Sequence, residues 1–299
     1  MAASRTPRRA AGATVRIPRV AFDRRKYGRH LLIDVAAVSE LSGFIIGAPH
    51  SLAFYDIILV TRGKGWFWLD GERHAVRAGS VFFTTPGQMR WWDTIGLDGV
   101  CLFFEDLFVG DFLRDEAFLT RLPYFHAHPA RAWIALAPAA ARGMRMRLAA
   151  MQRELAQHRH DSIELLRAQL HEALLVLARL YAATHRVAPQ RPTHRTVSRF
   201  MQLLERDAAH RHRIADYAAE LAVTPGHLSV LCEQYAGARA KRLLDRTLVA
   251  RARRLLLYTD DSVARVGAAL GFEDPSYFSR FFRRETGQSP KELRDRRDR

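Results

Sequence analysis

Ile214-Ala-Asp-Tyr-Ala-Ala-Glu-Leu-Ala-Val-Thr-Pro-Gly-His-Leu-Ser-Val-Leu-Cys-Glu-Gln-Tyr-Ala-Gly237 occurs a second time, in altered form, as Val263-Ala-Arg-Val-Gly-Ala-Ala-Leu-Gly-Phe-Glu-Asp-Pro-Ser-Tyr-Phe-Ser-Arg-Phe-Phe-Arg-Arg-Glu-Thr-Gly287. Ile214, Ala218, Leu221 and Val223 correspond to Val263, Gly267, Leu270 and Phe272 at an offset of 49. Beyond the turn the offset is 50, and Leu228, Ser229, Cys232, Gly237 and Lys241 correspond to Phe278, Ser279, Phe282, Gly287 and Lys291. A one-residue slip confined to a turn indicates two copies of one helix-turn-helix unit.

Each copy begins with apolar residues at helical spacing: Ile214, Tyr217, Ala218 and Leu221, then Val263, Val266, Gly267 and Leu270. The small residue of each set, Ala218 or Gly267, suits a close helix crossing. The break that follows is Gly271 in the second copy, where glycine accepts a left-handed turn conformation. Ala222 holds that place in the first copy and tolerates it less well. Thr224 and Asp274 are expected N-caps, each followed by a proline, Pro225 or Pro275. The second helix then runs to a glycine stop at Gly237 or Gly287.

Charge points to the partner. Arg186 to Arg299 carries 23 Lys+Arg against 14 Asp+Glu, a net +9, and Arg280, Arg283 and Arg284 lie between the aromatics of the last unit. A solvated face normally mixes signs; a basic one on such a repeat reads as a DNA-binding surface. Between the copies, Arg239 to Tyr258 is amphipathic, with Leu243, Leu244, Leu248, Ala252, Leu255 and Leu256 on one face. Twenty residues of helix span about 30 Å. Successive major-groove faces on one side of B-DNA are about 34 Å apart, so this helix is expected to be a strut between two reading heads.

Residues 200–294 resemble the DNA-binding domain of the AraC/XylS transcriptional regulators. The resemblance rests on Gly271-Phe272, Tyr277-Phe278-Ser279-Arg280, Phe282, Gly287 and Ser289-Pro290. It implies that the second helix of each unit enters a major groove of double-stranded DNA. By motif position the implied base-facing residues are Gly226, Ser229 and Val230 in the first unit, and Pro275, Ser276, Ser279 and Arg280 in the second. Lys241, Arg283 and Arg284 are expected on phosphates. The first unit departs from the family with Val230 and Glu233 where long polar or basic residues are common, so apolar contact with a thymine methyl is expected there. The resemblance also implies RNA polymerase as a partner, and activation rather than repression.

The 299 residues suggest about two domains, an α+β chain with a β-barrel first and an all-α domain last. Residues 1–29 hold 9 basic and 1 acidic side chains, and residues 30–185 hold 15 and 16. A near-neutral domain is thus flanked by basic regions. Residues 1–20 read as a basic disordered tail, 21–185 as a sensory and dimerisation domain, 186–195 as a linker and 196–299 as the DNA-binding domain. Cys101 and Cys232 form neither a metal spacing nor a disulfide framework, which fits a reducing cytoplasm. No apolar run approaches membrane-spanning length.

From His50 to Phe104 the pattern changes to short strands. Tyr55 to Thr61 is one, Gly63-Lys-Gly65 is expected to turn the chain, and Asp70-Gly71 is a hairpin turn between 66–69 and 72–76. Ser80 to Thr84, Arg90 to Trp92 and Val100 to Phe104 continue the series, indicating a small barrel or jelly roll. The order of turns resembles the cupin-like sensory domain of the same regulators. Cupins often hold a metal through clustered histidines. Here His50 and His74 stand singly and His126 and His128 lie beyond the barrel, so neither metal nor cofactor is expected. Tyr55, Trp66, Trp68, Phe83, Arg90, Trp91 and Trp92 are the candidate pocket for a small-molecule effector, with Arg90 pairing an anionic group. The competing expectation is a packed core with Arg90 on its rim.

Two helices follow, over 142–157 and 161–185. Ile163, Leu166, Leu170, Ala173, Leu177 and Leu180 keep a three-four spacing, the seam expected of a homodimer contact, with Leu165, Leu174, Leu175 and Val176 widening the apolar surface; the alternative is that both faces pack within the monomer. The reading is an effector-responsive, DNA-binding transcription regulator without enzymatic activity. The alternatives are a DNA-tethered metal-dependent cupin enzyme and a constitutive DNA-binding protein whose barrel is only a dimer scaffold.

Overall fold

The computed structural model of the chain describes residues 18–23, 31–41, 48–113, 118–119, 122–125, 129–186 and 195–297. The expected tail up to residue 17, most of the linker, and His126 and His128 lie outside them.

The first half is one eight-stranded sheet: β1 (Arg19–Val20), β2 (Ile33–Ala37), β3 (His50–Leu52), β4 (Tyr55–Leu69), β5 (Glu72–Val76), β6 (Ser80–Thr84), β7 (Met89–Phe104) and β8 (Trp133–Ala135). Its order is β1-β3-β7-β4-β6-β8, with β2 also on β7 and β5 also on β4. Two expectations are corrected here. Residues 19–20, taken as tail, form β1 and pair in parallel with Ser51 and Leu52. Gly63-Lys-Gly65 does not reverse the chain but lies within β4. That strand stays paired with β7 from Tyr55↔Phe104 to Leu69↔Arg90 through register shifts between Val60 and Lys64. Such bulges bend a long strand without ending it. Asp70-Gly71 is the hairpin turn, with φ of +47° and +86°.

Alternation along the strands gives the sheet two apolar faces. Ile33, Val35, Ile57, Leu59, Val81, Phe83, Leu102 and Phe104 face the helices, and Ile58, Val60, Phe67, Leu69, Phe82, Trp92, Cys101 and Phe103 face a second core. Helix α1 (Asp106–Leu113) follows the sheet. Helices α2 (Pro138–Gln157) and α3 (Ser162–His185) then cover the first face. α2 starts four residues before the expected Arg142 because Pro138 occupies its first turn, where the missing N–H costs nothing.

The second half is helical: α4 (Arg195–Asp207), α5 (Ile214–Glu220), α6 (Pro225–Ala236), α7 (Ala240–Tyr258), α8 (Val263–Ala269), α9 (Pro275–Thr286) and α10 (Pro290–Arg297). Helices α5–α6 and α8–α9 are the two repeat units, and α7 is the strut. One core joins them through Phe200, Tyr217, Leu228, Leu248, Phe278 and Phe282. Arg251 on α7 donates to the Glu205 carbonyl at the end of α4. No helix among the described residues is long and apolar enough to cross a membrane.

Candidate nucleic-acid interface

Local chemistry sets the two units. In the turns, Ala222 has φ +53° and Gly271 φ +78°. A Cβ at Gly271 would collide with the Ala209 carbonyl oxygen, so the backbone of the turn after α4 leaves room for glycine alone. Ala222 takes the left-handed turn at a cost of about 1–2 kcal/mol. Thr224 Oγ1 accepts from the His227 N–H at 3.2 Å and Asp274 Oδ1 from the Ser276 N–H at 2.8 Å, so each second helix is capped. Gly237 and Gly287 end these helices with φ +70° and +78°. A Cβ at Gly267 would lie 3.2 Å from Phe278, which is how tightly α8 crosses α9.

The same packing decides what the second helices present outward. Leu228, Leu231 and Cys232 of α6 and Phe278, Phe281 and Phe282 of α9 are buried. Gly226, Val230, Pro275, Ser276, Arg280, Arg283, Arg284 and Lys241 are exposed, whereas Ser229 and Ser279 are half-buried. The Ser279 hydroxyl donates to the Pro275 carbonyl at 2.9 Å. Val230 is 59% exposed, an apolar residue standing where Arg280 stands in the other unit. Tyr277 is 52% exposed, although its ring centroid is 6.0 Å from that of Phe272. Neither Tyr277 nor its counterpart His227 was among the sequence-derived base-facing residues. The offset of 50 that aligns the two helices places them together.

The basic side chains rest on nearby carboxylates. Arg280 lies 3.7 Å from Asp274, Arg284 2.9 Å from Glu285, Arg242 3.6 Å from Glu285 and Lys241 2.8 Å from Asp245. The four cations are themselves 57–70% exposed, where solvent screens an ion pair, so they are available to phosphate or base edges.

The sensory half departs from its expected pocket. Trp66, Trp68 and Trp91 point away from the second core. Trp68 stacks on Trp91 at 5.3 Å, and the Arg73 guanidinium covers Trp66 at 4.0 Å. Trp92 points inward against Phe67 at 4.2 Å and Phe82 at 5.5 Å. Tyr55 and Phe83 lie on the helix-facing side, on Phe125 and Phe104, and on Tyr124, respectively. The seven residues therefore do not converge on one cavity: neighbours in a strand face opposite ways.

Arg90 is not on a rim either. It is fully buried, ion-paired with buried Asp56, and donates to His50 Nε2 at 3.2 Å and Thr84 Oγ1 at 3.4 Å. Asp56 Oδ1 and Arg90 Nη2 find no further hydrogen-bond partner among the described residues. His50 thus faces a cation rather than a second metal ligand, and His74 packs among Phe67, Phe82 and Trp133.

Burial, reinforced by Arg90, lowers the His50 pKa from 6.5 to about 4. Unfolded chains take up this proton below about 6.5, and the folded state refuses it until about 4. Stability from neutral His50 is therefore full above pH 6.5 and is lost as pH falls to 4. Calorimetry should show the melting temperature of the wild type falling more steeply across this window than that of His50→Gln. Parallel curves would contradict the assignment.

The homodimer seam is also corrected. Leu166, Leu170 and Leu177 have no exposed surface and pack on the sheet, with Ile163 and Leu180 partly buried beside them. A three-four stripe looks the same whether it meets a sheet or a second subunit. The outward face of α3 carries Leu165 and Leu175 instead, 44% and 39% exposed, and Met146 of α2 is 72% exposed.

Comparison with known proteins agrees with both halves. A helix-turn-helix domain family matches residues 217–296, and the AraC-like ligand binding domain family matches residues 42–90. The HTH-type transcriptional activator RhaS of Pectobacterium carotovorum is 27% identical over 250 residues, covering 82% of this chain and 86% of that protein. The arabinose operon regulatory protein of Salmonella typhimurium is 27% identical over 277 residues, 90% and 94% of the two chains. RhaS of Escherichia fergusonii reaches 44% over 66 residues, 22% and 24% of the two chains. With the repeated unit, the exposed basic side chains of α7 and α9 and a β-rich domain before it, this chain is a DNA-binding transcription regulator similar to those of the AraC family.

Proposed function

We propose that the chain is an effector-responsive activator that places α6 and α9 in adjacent major grooves of one DNA face. The observation that carries this is the pair of matched, capped helices at the two ends of a 19-residue strut, α7. Gly226, Ser229, Val230, Pro275, Ser276, Ser279 and Arg280 are the base-facing set, with Lys241, Arg283 and Arg284 on phosphates. The RhaS relatives are named as transcriptional activators, which supports activation through RNA polymerase in the cytoplasm and a role in binding rather than catalysis. A homodimer through Leu165, Leu175 and Met146 fits their exposure. The effector is a small molecule admitted by the sensory half, as the matched ligand-binding family suggests.

Arg280 provides the test. A bidentate contact to guanine contributes about 1–3 kcal/mol of discrimination. Arg280→Ala should weaken binding to duplexes that the wild type selects from a random library by about tenfold or more, and relax preference at one or two base pairs. Arg283→Ala should instead weaken all sequences alike and flatten the salt dependence by about one unit of slope. Unchanged selectivity in Arg280→Ala would refute the assignment.

A further inference from the structure

The last turns of the strut meet the tip of a sensory hairpin. Arg254 Nε lies 3.2 Å from both carboxylate oxygens of Asp70, and Arg253 Nη2 lies 3.4 Å from Glu72. Leu257 reaches over Gly71 so closely that a Cβ there would stand 2.7 Å from its Cδ1. The Tyr258 phenol rests on the Gly71 backbone, beside Asp70 and both arginines.

Asp70 is built into this place. It is 2% exposed, adopts φ +47°, and accepts from the Met89 N–H at 3.0 Å and from Gln88 Nε2 at 3.2 Å. One carboxylate thus joins the β4–β5 turn, the β6–β7 turn and the helix that separates the two recognition helices. The paired side chains are only 3–31% exposed, so this contact is less screened than those on the DNA-facing surface.

We propose that Asp70 and Glu72 with Arg253 and Arg254 form an interdomain latch that holds the regulator in a state of lower DNA affinity. This inference rests on the two-helix DNA-binding reading. The sign follows from charge. A closed latch spends two strut cations on carboxylates and brings two negative groups against the domain that must attract a polyanion. Opening the latch frees both guanidinium charges and removes two carboxylates from the domain, which raises the positive field that DNA phosphates meet. DNA binding and latch closure therefore oppose each other, and any change in the sensory half that moves the 70–72 turn shifts DNA affinity by the same linkage.

The test uses the full-length chain and duplexes that the wild type selects from a random library, at one fixed salt concentration. Asp70→Asn removes the charge, keeps an oxygen for the Met89 N–H, and suits the left-handed turn. Asp93→Asn is the control, because it changes net charge equally on an exposed position of the same sheet. The expected result is about fivefold or more tighter binding by Asp70→Asn and little change in Asp93→Asn. Glu72→Cys with Arg253→Cys, joined by a short bismaleimide, locks the latch, and native Cys101 and Cys232 are buried. The locked protein should bind about fivefold or more weaker than the same variant left unjoined. Equal effects of the two asparagine variants, or equal affinity of locked and unjoined protein, would overturn the latch. If Asp70→Asn does not fold, the locked pair decides alone. If the wild type selects no duplex, the DNA-binding reading falls and the latch's role with it.

Discussion

Replacing Leu170 and Leu177 together by aspartate is expected to unfold the sensory domain, not to separate two folded subunits. Both side chains have no exposed surface and share a core with Leu166, Leu174, Phe83 and Tyr124. Truncating one buried leucine to alanine costs about 2–5 kcal/mol. Aspartate adds the desolvation of a carboxylate that has no partner there. Two such changes match or exceed the roughly 5–15 kcal/mol by which a domain is stable. Circular dichroism and solubility should both report the loss. The companion variant, Leu165→Asp with Leu175→Asp, changes only the outward face of α3 and should keep its fold while sedimenting as a monomer. A folded Leu170/Leu177 variant would contradict the packing described for α3.

Loss of Arg90 should be the largest effect of any single charged residue. Arg90→Met strands Asp56, which is fully buried and already has one oxygen without a partner among the described residues. Breaking a buried pair by removing one member costs about 3–5 kcal/mol. For a domain of about 150–250 residues, each kcal/mol lowers the melting temperature by about 2–4 °C, so a fall of about 6–20 °C is expected. Adding Asp56→Leu should recover much of it, because the uncompensated charge is gone. This cycle separates a structural ion pair from an effector anchor. A single substitution costing under about 1 kcal/mol would return Arg90 to the candidates for ligand binding.

What could be read from the sequence was what is local. The caps at Thr224 and Asp274, the glycine stops, the left-handed turn at Ala222 and the Asp70-Gly71 hairpin each depend on a few adjacent residues, and each is found as expected. The strut was legible because its apolar stripe and charge run coincide. The aromatic pocket failed on strand parity: Trp66, Trp68 and Trp91 share the outer face, whereas Trp92, next to Trp91, points inward, so the set cannot line one cavity. The bulges between Val60 and Lys64 then displace the register, which no propensity reveals. The α3 stripe failed because a helix seam does not name what covers it. The Asp70–Arg254 contact spans 184 residues and leaves no local mark.

Hydroxyl-radical footprinting of the full-length chain on a duplex it selects tests the central claim most directly. Two reading heads held by one rigid strut should protect two segments on the same DNA face, centred about 10–10.5 base pairs apart. Arg280→Ala should weaken the segment read by α9 before the other. A single protected segment, or two whose spacing varies freely between selected duplexes, would contradict a regulator that reads DNA through both units.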